Sequence, residues 1–439
     1  MAKSVKVLIE ELGPIEKAEI EIKPLTIIIG KSSYTSSLLL ATLYLLASTF
    51  PDFSKLEDFA VTEILRLCER AHVSALKGNM EMLEEYMRKL FDMHLDSIGR
   101  LIAGSLSKRF KEFFNVDSAN KLLKGSIKIS SSEVPFHVDI EPKGSELNVS
   151  FRIIDKPFVR INSVSRMGES MGINASFLIG EQTILQRDLY FKTPLDLASE
   201  YAQLTKMIVD KLSPISFGST EAHLIAETRA GILRLTPLIY SLAIGYQGIQ
   251  IPALEAASIH SYIELARKFK LDVTEELHEA LTDLLSEIGV KDFNVRLMAS
   301  YPMILIDSTM GDRMPLEDSP SEVRACLPIV LGLASKLNGP RAIFIDKLEE
   351  SLHPKAVSKL MKLIAISIMR RAWLSERQAI VLTTKSPVAL TALSMAIKEK
   401  TTLRDHMEII YLKREKEVEK SERITMTPQD LKRVINDLS

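Results

Sequence analysis

The chain has 439 residues, room for two or three structural units at roughly 150 residues each, and its 46% hydrophobic and 26% charged residues exclude disorder as the main state. With 56 Lys and Arg against 57 Asp and Glu, the formal charge of -1 excludes bulk attraction to nucleic acid or anionic membrane, so a nucleic-acid surface would have to be local. Cys68 and Cys326 lie too far apart to suggest a disulfide framework, and Cys68 with His72 falls short of a structural zinc site; a reducing, cytoplasmic setting is expected.

The opening segment MAKSVKVLIEELGPIEKAEIEIKP lacks the unbroken apolar core of a signal peptide. The greasiest stretch, Leu38 to Leu46, contains Thr42 and Tyr44 and is shorter than the about 20 apolar residues a bilayer demands, so no membrane association is expected. Residues 4–29 read as two or three strands, with Gly13-Pro14 as a turn and LTIIIG as a run suited to a strand buried on both faces. The polar run KSSYTSS and the helical pattern LLLATLYLLAST follow. Residues 55–124 read as helix, with charges interleaved at three and four residue spacing. Residues 126–154 alternate at period two, with Pro142-Lys143-Gly144 as a hairpin signal. Residues 177–290 read largely as helix. From about Asp292 strands and helices resume, ending in a hairpin over MEIIYLKREKEVEKSERITM and a short tail helix. There is no fixed repeat and no sustained heptad pattern, so a long coiled-coil arm is not expected.

The strand, loop and helix at residues 25–46 stand where a phosphate-binding loop would. Its working pattern, G-x-x-x-x-G-K-[ST], cradles phosphates on backbone N–H groups and a helix N-terminus, neutralises them with Lys and holds Mg²⁺ with a hydroxyl. Here the frame is Gly30, Lys31, Ser32, Ser33, Tyr34, Thr35, Ser36 and Ser37. The first Gly and last hydroxyl fit, while Thr35 and Ser36 replace the second Gly and the Lys. A Ser-rich helix cap is the plain alternative. Three more segments join it: AIFIDKLEESLHP, a buried strand ending in Asp346; AIVLTTKSPVAL, a second strand ending in Lys385; and GDRMPLEDSPSEVRACLPIVLGLA, a polar loop opening an apolar helix.

Together with ELGPIEKAEIEIKPLTIIIG, these segments resemble the ABC-type ATPase heads of the SMC and OLD-like superfamily, often grouped among AAA-type ATP-binding proteins. That family carries G-x-N-x-S-G-K-S-S, D-E-P-E-x-x-L-H-P, T-T-H-S-P and P-S-G or S-S-G patterns. LIAETRAGILR at residues 224–234 resembles its Y-I-P-A-E-R-A-G-L-L-R block. The resemblance implies an α/β P-loop NTPase fold, an ABC-ATPase-like head whose mixed sheet is built from both chain ends. Residues 1–50 and 221–439 would form the head, and residues 51–220 a helical and β-hairpin insertion. It also implies ATP and Mg²⁺ as cofactors. Nucleotide contacts would come from residues 30–37 with Arg229, Ser321 and Glu322, and metal contacts from Ser37 and Asp346. The implied partner is a second copy or a related ATPase head, with DNA as a further partner, in DNA repair, chromosome organisation or defence.

The departures fall on chemical positions. Beside Thr35 and Ser36, Lys347 stands at the glutamate that positions water, Glu322 at the signature glycine, and Lys385 at the γ-phosphate-sensing histidine. Loss of one preorganised donor costs about 2.7–4 kcal/mol in the transition state, so turnover is not expected. Lys347 and Lys385 are expected to neutralise Asp346 in place of Mg²⁺, with anion binding as the alternative, and Glu322 to repel a phosphate presented across a dimer. The expected function is that of a degenerate, pseudo-ATPase subunit acting through protein or DNA contacts. The alternatives are a slow but genuine Mg-ATP-dependent ATPase and a purely structural scaffold.

Overall fold

A computed structural model describes residues 5–49, 61–131, 136–153, 157–179, 182–212, 221–236, 252–298, 301–336, 340–373, 378–415, 418–424 and 428–438. The extreme N-terminus, the start of the helix expected from residue 55 and residues 213–220 and 237–251 of the expected 177–290 helical stretch lie outside them. The chain divides into two compact units, one of residues 1–48, 112–116 and 219–439, the other of residues 49–111 and 117–218.

The first unit opens with a hairpin of β1 (Val5–Leu12) and β2 (Ile15–Ile22), turned at Gly13, whose φ of +55° suits glycine. β3 (Leu25–Gly30) is buried at every residue, as its continuous apolar run requires. α1 (Ser33–Ser48) follows, buried from Leu38 to Ala47, which is why its sequence has no polar face.

The second unit holds α2 (Val61–Leu76) and most of α3 (Met80–Phe114). An antiparallel meander of β4 (Ile127–Ser131), β5 (Phe136–Lys143) and β6 (Glu146–Ile153) turns at Gly144, at the expected hairpin signal. A second antiparallel sheet contains β7 (Pro157–Met167), β8 (Ser170–Ile179) and β9 (Gln182–Phe191), and α4 (Pro194–Leu212) packs on β9. Helix was expected across 177–191, and this is corrected. Leu189 and Phe191 turn inward while Asp188 and Tyr190 face out, the period-two signature of a half-buried strand.

The chain returns to the first unit with β10 (Glu221–Ile225), α5 (Ala253–Arg267) and α6 (Glu275–Glu287). A small antiparallel sheet of β11 (Val290–Met298), β12 (Tyr301–Ser308) and β13 (Arg313–Pro315) leads to α7 (Ser321–Ala334). β14 (Arg341–Ile345), α8 (Pro354–Trp373), β15 (Gln378–Thr384) and α9 (Pro387–Glu399) come next. β16 (Met407–Glu415) and β17 (Val418–Arg423) form the expected closing hairpin, and α10 (Pro428–Leu438) is the tail helix.

In the first unit the sheet order is β10-β14-β15-β3-β16-β17-β2-β1. The five strands from β10 to β16 run parallel, while β16/β17 and β1/β2 are antiparallel, so the sheet is mixed and assembled from both ends of the chain. This is the α/β architecture expected from sequence. Alternate residues feed two cores. Ile27, Ile345 and Leu382 join the face covered by α7, α8 and α9, while Phe344 meets Tyr44 of α1 with ring centroids 5.7 Å apart. The outer strand β10 is shielded by α5: Ser261 Oγ accepts from Leu224 N–H at 2.8 Å and Ser258 Oγ from Ala226 N–H at 3.2 Å. Among the described residues no helix is long and apolar enough to cross a membrane.

Candidate functional site

The parallel strands bring their C-terminal ends to one edge of the sheet, with β15 between β3 and β14. In open α/β sheets this edge is where ligands bind. It gathers Ser37 in the second turn of α1, Asp346 just beyond β14, and Thr383 near the end of β15. Ser37 Oγ donates to Asp346 Oδ1 at 2.8 Å and Thr383 Oγ1 donates to the same oxygen at 2.7 Å. Thr383 Oγ1 also accepts from Lys347 N–H at 2.7 Å. Asp346 is 4% exposed, and burial raises its carboxyl above the ordinary carboxylate range, against the pull of the two hydroxyls and the field of Lys347.

The two lysines do not pair with Asp346, and the expectation that they neutralise it is corrected. Lys347 Nζ forms its ion pair with Glu227, and Lys385 Nζ donates to Ser33 Oγ at 3.3 Å. Among the described residues both side-chain donors to Asp346, Ser37 and Thr383, are hydroxyls and meet at its Oδ1, while Lys347 acts on it only through its field. Glu349 closes the other side, accepting from Thr384 Oγ1 at 2.7 Å and Lys385 N–H at 3.0 Å.

Behind this edge lies Arg229, buried to 2% exposure. Its guanidinium donates to the carbonyl oxygens of Ala226, Ala325, Asp346, Lys347, Leu348 and Glu350 at 2.9–3.3 Å. Burial lowers its pKa to about 10, opposed by the neighbouring acids, so it stays charged at neutral pH. The loop it grips contains two left-handed residues that are not glycine, Lys347 (φ +46°) and Ser351 (φ +60°). Such residues cost of order 1–3 kcal/mol each unless their surroundings hold them, and Arg229 supplies that hold.

Where the second glycine and lysine of a phosphate loop would stand, the chain is already helical. Only Lys31 and Ser32 separate β3 from α1. Ser32 Oγ accepts from Thr35 N–H at 3.3 Å, an N-cap bond. Thr35 and Ser36 are buried, and Ser36 Oγ turns back to the carbonyls of Ser32 and Ser33 at 3.2 and 3.3 Å. A Cβ built on Gly30 would meet only ordinary contacts, the nearest at 3.5 Å, so no close backbone approach depends on that glycine. Tyr34 is 63% exposed, and Lys31 Nζ pairs with Asp437 Oδ1 of α10 at 2.7 Å.

Ser321 is exposed at the start of α7. Glu322 reaches across to the loop before α8, where its Oε1 accepts from His353 N–H at 2.6 Å. Thus residues 30–37, Asp346, Lys347 and Lys385 gather at one edge. Arg229 lies beneath the β14 loop, and Ser321 and Glu322 belong to α7 at the far end of that loop. Sequence reasoning did not assign Thr383 or Glu227. Thr383 stood in the quoted TTKSP strand end, whereas nothing in the sequence tied Glu227 to Lys347.

The residues fit Mg-ATP on one half only. Ser37 and Asp346 supply the two oxygens a metal shell would use, but among the described residues no group of three or more His, Cys, Asp or Glu could hold a metal. Mg²⁺ bound through so few protein oxygens depends on the phosphates for the rest of its shell. The phosphate half does not fit, because Ser32 Oγ takes the amide of Thr35 and the buried Thr35 and Ser36 stand where the pattern has glycine and lysine.

No family model matches the chain, and no curated protein matches it. Among solved structures it is similar to an SmcHead bound to the C-winged helix domain of ScpA, at 11% identity and TM-score 0.40 over 96% of this chain and 97% of that one. It is also similar to the SMC head domain from Thermotoga maritima, at 9% identity and TM-score 0.35 over 97% and 100% of the two chains. A third is the Smc head domain with an extended coiled coil bound to the C-terminal domain of ScpA derived from Pyrococcus furiosus, at 10% identity and TM-score 0.40 over 99% and 98%. Similarity at this level carries nothing about chemistry or partners.

Proposed function

We propose that this chain is a nucleotide-independent head: a degenerate, pseudo-ATPase member of an ABC-like architecture that works through protein contacts, with a related ATPase head as partner. The observation that carries the reading is the replacement of ligand contacts by internal ones at the strand-end edge. Ser32 caps the amide a phosphate would take, Ser36 is buried at the place of the lysine, and Lys347 is paired with Glu227 at the place of the glutamate. Lys31, Ser37 and Lys385 also have partners within the chain, which supports the reading. The Ser37–Asp346 bond favours a second reading, weak Mg-ATP binding without efficient turnover, because that pair remains compatible with a metal shell.

The test is the oligomeric state and the company the chain keeps. Light scattering after gel filtration is expected to give the same mass for the chain alone with and without Mg-ATP, and a larger mass when an intact related head is added. Nucleotide-dependent self-association would refute the reading.

A further inference from the structure

Helix α7 is held at its two ends by different partners. In its first half, Arg229 Nε donates to Ala325 O at 2.9 Å, Arg324 Nε donates to Ala230 O at 2.8 Å, and Glu322 Oε1 accepts from His353 N–H at 2.6 Å. Because Arg229 also donates to the carbonyls of Asp346, Lys347, Leu348 and Glu350, this half is tied to the β14 loop at the candidate site. At the other end, Arg371 Nη2 of α8 donates to Leu333 O at 3.0 Å and to Ser335 O at 2.8 Å, and Arg341 Nη1 at the start of β14 donates to Ser335 Oγ at 2.5 Å. Gly332 lets this half lie close against β14, since a Cβ there would come 2.8 Å from Ile343 Cδ1. Between the halves stands Pro328. It has no N–H to give the carbonyl of Arg324, so the helix lacks one rung at that point, and its ring crowds the same carbonyl. Pro328 also borders a small, mostly apolar cavity with Arg229, Ile232, Leu233, Ile259 and Tyr262, so space lies beside the weakened turn.

We propose that α7 is a jointed lever: its first half moves with the β14 loop and pivots at Pro328, while its second half stays fixed on β14 and α8. An interior proline is among the few features that let a helix bend sharply. Here it separates two segments that each answer to their own buried arginine, so an opening of the β14 loop passes into residues 321–327 and stops there. The Glu322 bond to His353 is the latch, because it joins the tip of the first half to the far end of the loop and is open to solvent. An uninterrupted helix would instead pass the disturbance from turn to turn through its ladder of hydrogen bonds. The joint goes beyond the proposed function and holds with or without a bound nucleotide.

The experiment uses the full chain and reads amide hydrogen exchange at residues 324–327 and 332–335. Glu322→Ala releases the latch and is expected to speed exchange at 324–327 about three- to tenfold while leaving 332–335 unchanged. Ser335→Ala removes an acceptor of Arg341 and is expected to do the reverse. Pro328→Ala supplies the missing N–H, so in the Glu322→Ala/Pro328→Ala double variant the two halves are expected to exchange together, their accelerations agreeing within about twofold. Equal acceleration of both halves by Glu322→Ala with Pro328 in place, or none in either, would overturn the joint. So would a difference between the halves that survives Pro328→Ala.

Discussion

Replacing Arg229 tests whether one side chain holds the loop beyond β14 in place. The guanidinium is almost wholly buried and donates to six carbonyl oxygens drawn from the β10 end, α7 and the β14 loop. Arg229→Met removes the charge and keeps much of the volume, leaving those carbonyls without that donor. Each buried carbonyl left without a donor costs about 1–3 kcal/mol, with relaxation among the six reducing the sum. A total near 4 kcal/mol is expected. At about 2–4 °C per kcal/mol for a large domain, the melting midpoint should fall roughly 8–16 °C. Arg229→Lys keeps the charge but cannot fork to both sides of the loop, so it should recover less than half of the loss. Hydrogen exchange should localise the damage, because Lys347 N–H and Leu348 N–H donate to Thr383 Oγ1 and Thr383 O and lose their alignment when the loop relaxes. A melting midpoint within 2 °C of the unaltered chain, with these amides still protected, would refute the clamp.

Other expectations follow from the same geometry. Ser37→Ala and Thr383→Val each remove a hydroxyl donor to buried Asp346 and should cost about 1–3 kcal/mol in urea denaturation; a neutral effect of both would show that Asp346 has other partners. Because the folded Asp346 pKa is raised, its ionisation opposes folding as pH rises past the ordinary Asp value, and both variants should deepen that loss. Lys347→Glu would set a carboxylate among Glu227 and Asp346 and lose the existing pair, so destabilisation of about 1–3 kcal/mol that lessens at low pH is expected; stabilisation would contradict the pairing. His223 is buried beside Glu221 and Arg341, and desolvation lowers its pKa. The unfolded chain therefore binds the proton more readily, and the stability that neutral His223 contributes above about pH 6.5 is lost as pH falls toward its folded value. His223→Gln should flatten the stability curve between pH 7.5 and 5, and an unchanged slope would refute the assignment.

The parallel core was legible in sequence because strands covered on both faces must be almost wholly apolar, and LTIIIG, AIFI and AIVL are, Thr26 apart, whose hydroxyl accepts from the Lys23 amide. The closing hairpin and tail helix were legible for similar local reasons. The β7 to β9 sheet was only partly so, since 177–191 mixes long polar side chains with Leu and Phe, and its period two emerges only once one face is seen to be buried. At the candidate site the sequence located the edge, through Ser37, Asp346 and the β15 end. It did not reveal the partners that fill that edge. Whether Ser36 faces a ligand or its own helix depends on where α1 begins, a matter of one turn, and the capping serine at position 32 was the local signal for the earlier start. The Lys347–Glu227 pair joins residues from two different strand ends, and no local pattern encodes such a contact.

The most direct measurement is a calorimetric titration of the purified full chain with Mg-ATP at millimolar concentration, with the melting midpoint followed in parallel. No binding heat beyond dilution and no shift in the midpoint are expected. Saturable binding of one nucleotide per chain, accompanied by the roughly 2.7 kcal/mol of stabilisation that a ligand at one hundred times Kd confers, would contradict the account.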